Sequence, residues 1–261
     1  MKNKPIVIAF SNQKGGVGKT STSMLFADYL EKREDIKKIL LVDLDQQANL
    51  SKTFCQEPES LLKMPSLYDF FEKNENLSNI SVAYNEKLDL LPASLKMSNL
   101  ENNDITKWID KIDLLWDFFL GYDFVLIDCP PALNVYSRLG LMTANYIICP
   151  LIPEPFCFDG MADAIGTIKN MKRLNPYYKN FYALIASYES RKTHVQEHYM
   201  AEFQEQLGDQ IISAFTPNFK GIKERAAVKI NIFDMYPKES DKQMQKLSEA
   251  MMKLFEKVIG E

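Results

Sequence analysis

Apolar residues in this chain gather into short unbroken runs separated by amphipathic stretches. That alternation predicts buried parallel strands joined by helices. The runs Ile6–Phe10, Ile39–Val42, Phe124–Ile127, Tyr146–Leu151 and Phe181–Ala186 read as strands covered on both faces. Lys87–Ser94, stopped by Pro92, and Ile211–Phe215 add two more. Between them, residues 20–31 form a helical pattern on Met24, Leu25, Ala27 and Leu30. Further helices are expected over Ser66–Phe71, through Met161, Ile165, Ile168 and Met171, from about Thr193 to Leu207, and from about Asp241 to Ile259. Residues 52–110 carry the weakest pattern. There the 74–79 stretch reads as a loop, and Trp108, Ile109, Ile112, Leu115 and Trp116 recur at helical spacing as core positions. The expected fold is α/β: one domain over residues 1–261, with a doubly wound, mostly parallel sheet and helices on both faces.

The first strand leads into Phe10-Ser11-Asn12-Gln13-Lys14-Gly15-Gly16-Val17-Gly18-Lys19-Thr20-Ser21. A strand, a glycine-rich turn and a helix opening on Gly-Lys-Thr make a phosphate cradle, the mark of P-loop NTPases. Glycines let the backbone approach an anion, amides and the helix N-terminus supply positive potential, Lys19 reaches the β and γ phosphates, and the Thr20 hydroxyl can hold Mg²⁺. The run Phe124–Ile127 ends in Asp128, which delivers a second magnesium group beside the loop, usually through water. Asp43 and Asp45 follow Ile39–Val42 at the sheet edge where open α/β folds bind ligands, on one side of the extended chain. A turn or capping role is the plain alternative for Asp45.

The usual loop pattern wants glycine at position 13, where this chain has Gln13, and a second lysine follows as Lys14. The string Lys-Gly-Gly-Val-Gly-Lys-Thr resembles the deviant Walker motif of the ParA/MinD family of ATPases. Asp43-Leu44-Asp45-Gln46-Gln47-Ala48-Asn49 resembles that family's switch, with Gln46 in place of its proline, and Asp128-Cys129-Pro130-Pro131 its second acidic motif. The resemblance covers nearly the whole chain. It implies ATP and Mg²⁺ as cofactors, weak partner-stimulated ATP hydrolysis, and an ATP-dependent homodimer in which Lys14 reaches the partner's phosphates. It also implies that Asp45 orients the attacking water, that Asp43 helps hold the magnesium shell, and that Pro217 and Asn218 frame the adenine. Basic residues beyond that point, Lys220, Lys223, Arg225 and Lys229, are expected to bind DNA non-specifically, with Arg225 foremost. A solvated charged face is the alternative for each. A ParB-like centromere-binding partner, segregation of plasmid or chromosome DNA, and a cytoplasmic, nucleoid-associated protein complete the expectation.

Composition narrows this picture. With 46% hydrophobic and 25% charged residues among 261, a sizeable core is expected. The net charge of −4 argues against a constitutive polyanion binder, so DNA contact needs a local patch and a switch. A dimer that doubles about three phosphate contacts to about six steepens the salt slope from about −3 to about −5. Cys55, Cys129, Cys149 and Cys157 lack metal or redox spacing and read as reduced buried thiols, while His194 and His198 read as surface residues. No apolar run approaches the ~20 residues of a membrane span, and no signal peptide precedes the first strand.

Three rival readings remain. A MinD-like membrane-positioning ATPase would use the C-terminal stripe of Met244, Leu247, Met251, Leu254 and Val258, but the acids on its polar face favour packing on the sheet. A cluster-carrying relative would use Cys129, and a metabolic kinase would leave Lys14 without a task.

Overall fold

The computed structural model describes residues 4–55, 59–154, 166–167, 170, 175–188, 194–236 and 241–260. Its centre is an eight-stranded sheet of order β3-β4-β2-β5-β1-β6-β7-β8. The strands are β1 (Ile6–Phe10), β2 (Ile39–Asp43), β3 (Val82–Ala83), β4 (Leu88–Leu91), β5 (Phe124–Asp128), β6 (Tyr146–Leu151), β7 (Asn180–Tyr188) and β8 (Ile211–Pro217). All neighbours run parallel except the short edge strand β3, which is antiparallel to β4. Alternation along each strand feeds two cores. Val7, Ala9, Leu40, Val42, Val125 and Ile127 pack on one face, and Ile8, Phe10, Ile39, Leu41, Phe124 and Leu126 on the other.

The second face is covered by α1 (Lys19–Glu31), α2 (Asn49–Phe54), α8 (Lys220–Val228), α9 (Ile232–Met235) and α10 (Lys242–Ile259). The first carries α3 (Leu67–Lys73), α4 (Leu77–Ile80), α5 (Ile109–Phe119), α6 (Val135–Thr143) and α7 (His194–Leu207). The apolar stripe of α10 is buried along its length, from Met244 through Leu247, Met251 and Leu254 to Val258. That stripe therefore packs on the sheet as expected, while Met252 and Ile259 of the same helix stay exposed. Among the described residues no helix is long and apolar enough to cross one.

Two local expectations change. The 74–79 stretch contains the start of α4, because the Asn76 side chain accepts the Ser78 amide as an N-cap. Ile109 is exposed, whereas Trp108, Ile112, Leu115 and Trp116 are core. Cys55, Cys129 and Cys149 are buried, and burial pushes the Cys149 thiol up to about 12. Cys157 lies outside the described residues, as does most of the helix expected through Met161 and Met171, although Gly166, Thr167 and Asn170 are helical. His194 and His198 stand exposed on α7.

Candidate functional site: an anion loop and three carboxylates

The register of the central strands brings the chemistry together. Phe10, the last residue before the loop, pairs with Asp128, and Asp43 pairs with Asp128 from the other side. Lys19, Asp43 and Asp128 therefore meet at one sheet edge. Gly16 and Gly18 hold φ of +77° and +90°, a left-handed conformation that favours glycine, so the loop curls back onto its helix. Gly18 caps α1 without a side-chain hydrogen bond, which leaves the first helical amides free for an anion. Lys19 is 7% exposed, and its ammonium donates to the Lys14 carbonyl at 3.0 Å. Burial lowers its pKa, against the opposing pull of the Asp128 charge. Val17 is buried beneath the loop, and Thr20 and Ser21 open α1 half-buried.

The three acids differ in what they do. Asp43 has both oxygens engaged: Oδ1 accepts the Asp45 amide at 3.1 Å, and Oδ2 accepts the Ser51 amide and hydroxyl at 2.8 and 2.7 Å. Expected in the magnesium shell, it instead spends both oxygens anchoring the switch loop and α2, and burial raises its pKa to about 6. Asp45 is half-buried and accepts the Gln47 amide at 2.9 Å, forming an Asx turn. Ala48 then enters α2 at φ 54°. Asp128 is 1% exposed, and among the described residues neither oxygen accepts a hydrogen bond of ordinary geometry, although the Thr20 hydroxyl stands near it. Burial, and then the Asp43 charge, push its carboxyl well above the usual range, while Thr20 and Lys19 act in the opposite direction.

A buried carboxylate with no hydrogen bond of ordinary geometry, beside a threonine hydroxyl and an anion cradle, suits a divalent cation. Magnesium is typically held by one or two carboxylates, substrate phosphates and water, so a dedicated protein cage is not required. Among the described residues no group of three or more His, Cys, Asp or Glu side chains forms such a cage.

A cleft of about 100 Å³ lies on the other side of α1, lined by Gly18, Thr22, Ala186, Ser187, Pro217 and Asn218, with Lys223 at its wall. Pro217 and Asn218 thus share a cleft with Gly18 and Thr22 of the loop and its helix. Ser187 holds φ 53° where the pairing of β7 with β8 shifts register. Its amide donates to Thr216 Oγ1 at 3.3 Å. No glycine or other sequence signal marked this residue. Larger clefts of about 370 Å³ beside Phe70 and Lys111, and about 420 Å³ beside Arg33 and Phe233, share no residue with the loop.

The basic cluster is corrected. Arg225 is fully buried, and its guanidinium forks onto Asp28 of α1 at 2.9 and 2.7 Å. It also stacks on the Phe54 ring with 4.5 Å to the centroid. A side chain at zero exposure does not meet DNA. The helical spacing that grouped it with the lysines turns it inward. Lys229 is half-buried, with its ammonium on the Cys55 carbonyl. Lys220 and Lys223 stay exposed, and Lys220 pairs with Glu224 at 3.0 Å.

Lys14 has a partner that sequence reasoning missed. Its ammonium lies 2.7 Å from Glu154, just beyond β6. Its amide donates to the Asn12 side chain at 2.9 Å, which itself holds the Pro150 carbonyl at 2.8 Å.

A family model described as an AAA domain matches residues 6–180. The chromosome-partitioning ATPase Soj of Treponema pallidum is 30% identical over 217 residues, covering 80% of this chain and 82% of that one. Among solved structures, apo McdA of Cyanthece superposes with a TM-score of 0.80 at 17% identity, covering 94% of this chain and 99% of its own. A plasmid partition protein from Borrelia burgdorferi bound to AMPPNP gives 0.78 at 22%, covering 97% and 100%.

Proposed function

This chain belongs to the ParA family of ATPases and hydrolyses ATP, and from that premise we propose that it partitions DNA through an ATP-gated dimer. The observation that carries the proposal is the pair of lysines. Lys19 serves the cradle, whereas Lys14 points out of it into a half-exposed ion pair with Glu154, from which a neighbour's phosphates could draw it. Two bound triphosphates bring about eight negative charges together, an approach that is strongly repulsive unless each subunit contributes a cation to the other.

Each residue then has a task. The amides of Gly15, Gly16, Val17 and Gly18 with Lys19 bind the phosphates, and Thr20 and Ser21 follow at the helix start. Thr20 and Asp128 would hold Mg²⁺, with Asp43 behind them bracing the switch. When bound, the ion neutralises β,γ-phosphate charge. Asp45, released from the Gln47 amide, orients the attacking water. Pro217 and Asn218 flank the base. The closed dimer binds DNA non-specifically through Lys220 and Lys223. A ParB-like protein at the cargo's centromere stimulates hydrolysis, and ADP releases the dimer. On this reading the protein works in the cytoplasm, on the nucleoid.

The test is DNA retention and sedimentation with AMPPNP, ADP and no nucleotide. The expected result is a dimer that holds DNA with AMPPNP alone. A single subunit at saturating analogue, or DNA binding indifferent to nucleotide, refutes the proposal.

A further inference from the structure

Both cations of the loop are held within their own subunit. Lys19 donates to the Lys14 carbonyl at 3.0 Å, and the Lys14 ammonium sits 2.7 Å from the Glu154 carboxylate. The second contact is built into the loop. Glu154 lies three residues after β6, and the Lys14 backbone is tied to the same strand end, because its amide is held by Asn12 and Asn12 holds the Pro150 carbonyl. Both ends of the ion pair therefore hang from one rigid point, which lowers the entropy needed to keep it formed.

We infer that Glu154 is a positioning residue that parks Lys14 in its own subunit and so sets the threshold at which two ATP-bound subunits pair. The inference rests on the proposed donation of Lys14 to a neighbour. A lysine held by its own chain must leave that partner before it can reach another phosphate. The exchange is reversible because the pair is half-exposed, at 32% for Lys14 and 45% for Glu154, and an exposed pair is easily broken. A buried partner would hold the lysine too firmly, and no partner would leave the phosphate-free loop without a competing anion.

Glu154→Gln tests this through two readouts. In the nucleotide-free subunit, mass-spectrometric footprinting with an amine-reactive acylating reagent reports whether Lys14 is held. The expected change is a rise of about two- to fivefold in its labelling rate, the range an exposed ion pair supports. With AMPPNP and Mg²⁺, sedimentation reports the dimer constant. Two such pairs open per dimer, so the constant is expected to tighten by about 4- to 25-fold. An unchanged labelling rate overturns the inference. So does a released Lys14 whose dimer constant moves less than twofold or weakens. If wild type itself fails to pair with AMPPNP, the partition proposal falls, and the footprint still shows whether Lys14 is parked. Glu154→Asp, which keeps the charge, is expected to return both readouts toward wild type and guards against a loss of folding.

Discussion

Arg225→Ala is the sharpest test of the fold, because sequence and structure assign this arginine opposite fates. The substitution removes two charge-assisted hydrogen bonds to Asp28 and the stack on Phe54. It leaves a fully buried carboxylate supported chiefly by the Ile232 amide at 2.9 Å. Breaking one side of such a pair costs about 3–5 kcal/mol, a large share of the roughly 5–15 kcal/mol that holds a domain together. At about 2–4 °C per kcal/mol for a domain of this size, the melting temperature should fall by about 6–20 °C. Arg225→Lys, which keeps the charge but loses the fork, should fall less.

The pH dependence has a definite sign. Burial already raises the Asp28 carboxyl despite the Arg225 fork. Without that fork its folded pKa rises further above its unfolded value, so the penalty is full above the folded pKa and shrinks as pH falls through it. Urea titrations of both proteins at pH 5 and pH 8 should therefore show a smaller gap at pH 5. A loss below about 1 kcal/mol at pH 8 would mean Arg225 is not buried, and the surface reading would return.

Other consequences can be checked alongside. Asp128→Asn should abolish the magnesium-dependent tightening of ATP in calorimetry, because a neutral amide is a far weaker partner for a divalent cation than a carboxylate; tightening that persists contradicts this. Lys19→Ala should weaken ATP by about 10- to 100-fold in calorimetry, the worth of a charge-assisted contact, and full affinity would remove it from the cradle. Asp45→Ala should trap an ATP-loaded dimer that turns over slowly in a phosphate-release assay; normal turnover would strip Asp45 of its role. Replacing Lys220 and Lys223 by alanine should flatten the salt slope of DNA retention by about one per lysine, and an unchanged slope would move the DNA surface elsewhere.

The central strands were legible because a parallel strand covered on both faces admits almost no polar residue, as β1, β2 and β5 show. The loop was legible because left-handed turns and phosphate contacts need glycine and lysine at fixed spacing. What stayed hidden depends on contacts distant in sequence. Asp43 and Asp128 look alike as acids ending a strand, yet Ser51, eight residues after Asp43, donates twice to it and has no counterpart at Asp128. Arg225 looks like its neighbouring lysines until Asp28, 197 residues away, is brought beneath it. Glu154 carried no signal at all, since its partner Lys14 lies 140 residues earlier.

Ala48 stands at φ 54° between the acidic loop and α2, a posture that costs a non-glycine residue about 1–2 kcal/mol. Its amide donates to the Asp45 carbonyl at 2.7 Å and its carbonyl accepts the Lys52 amide at 2.9 Å, so it couples the acidic loop to the helix that carries Ser51. A glycine there would remove that cost but let the joint flex, slackening the hold that Ser51 has on Asp43.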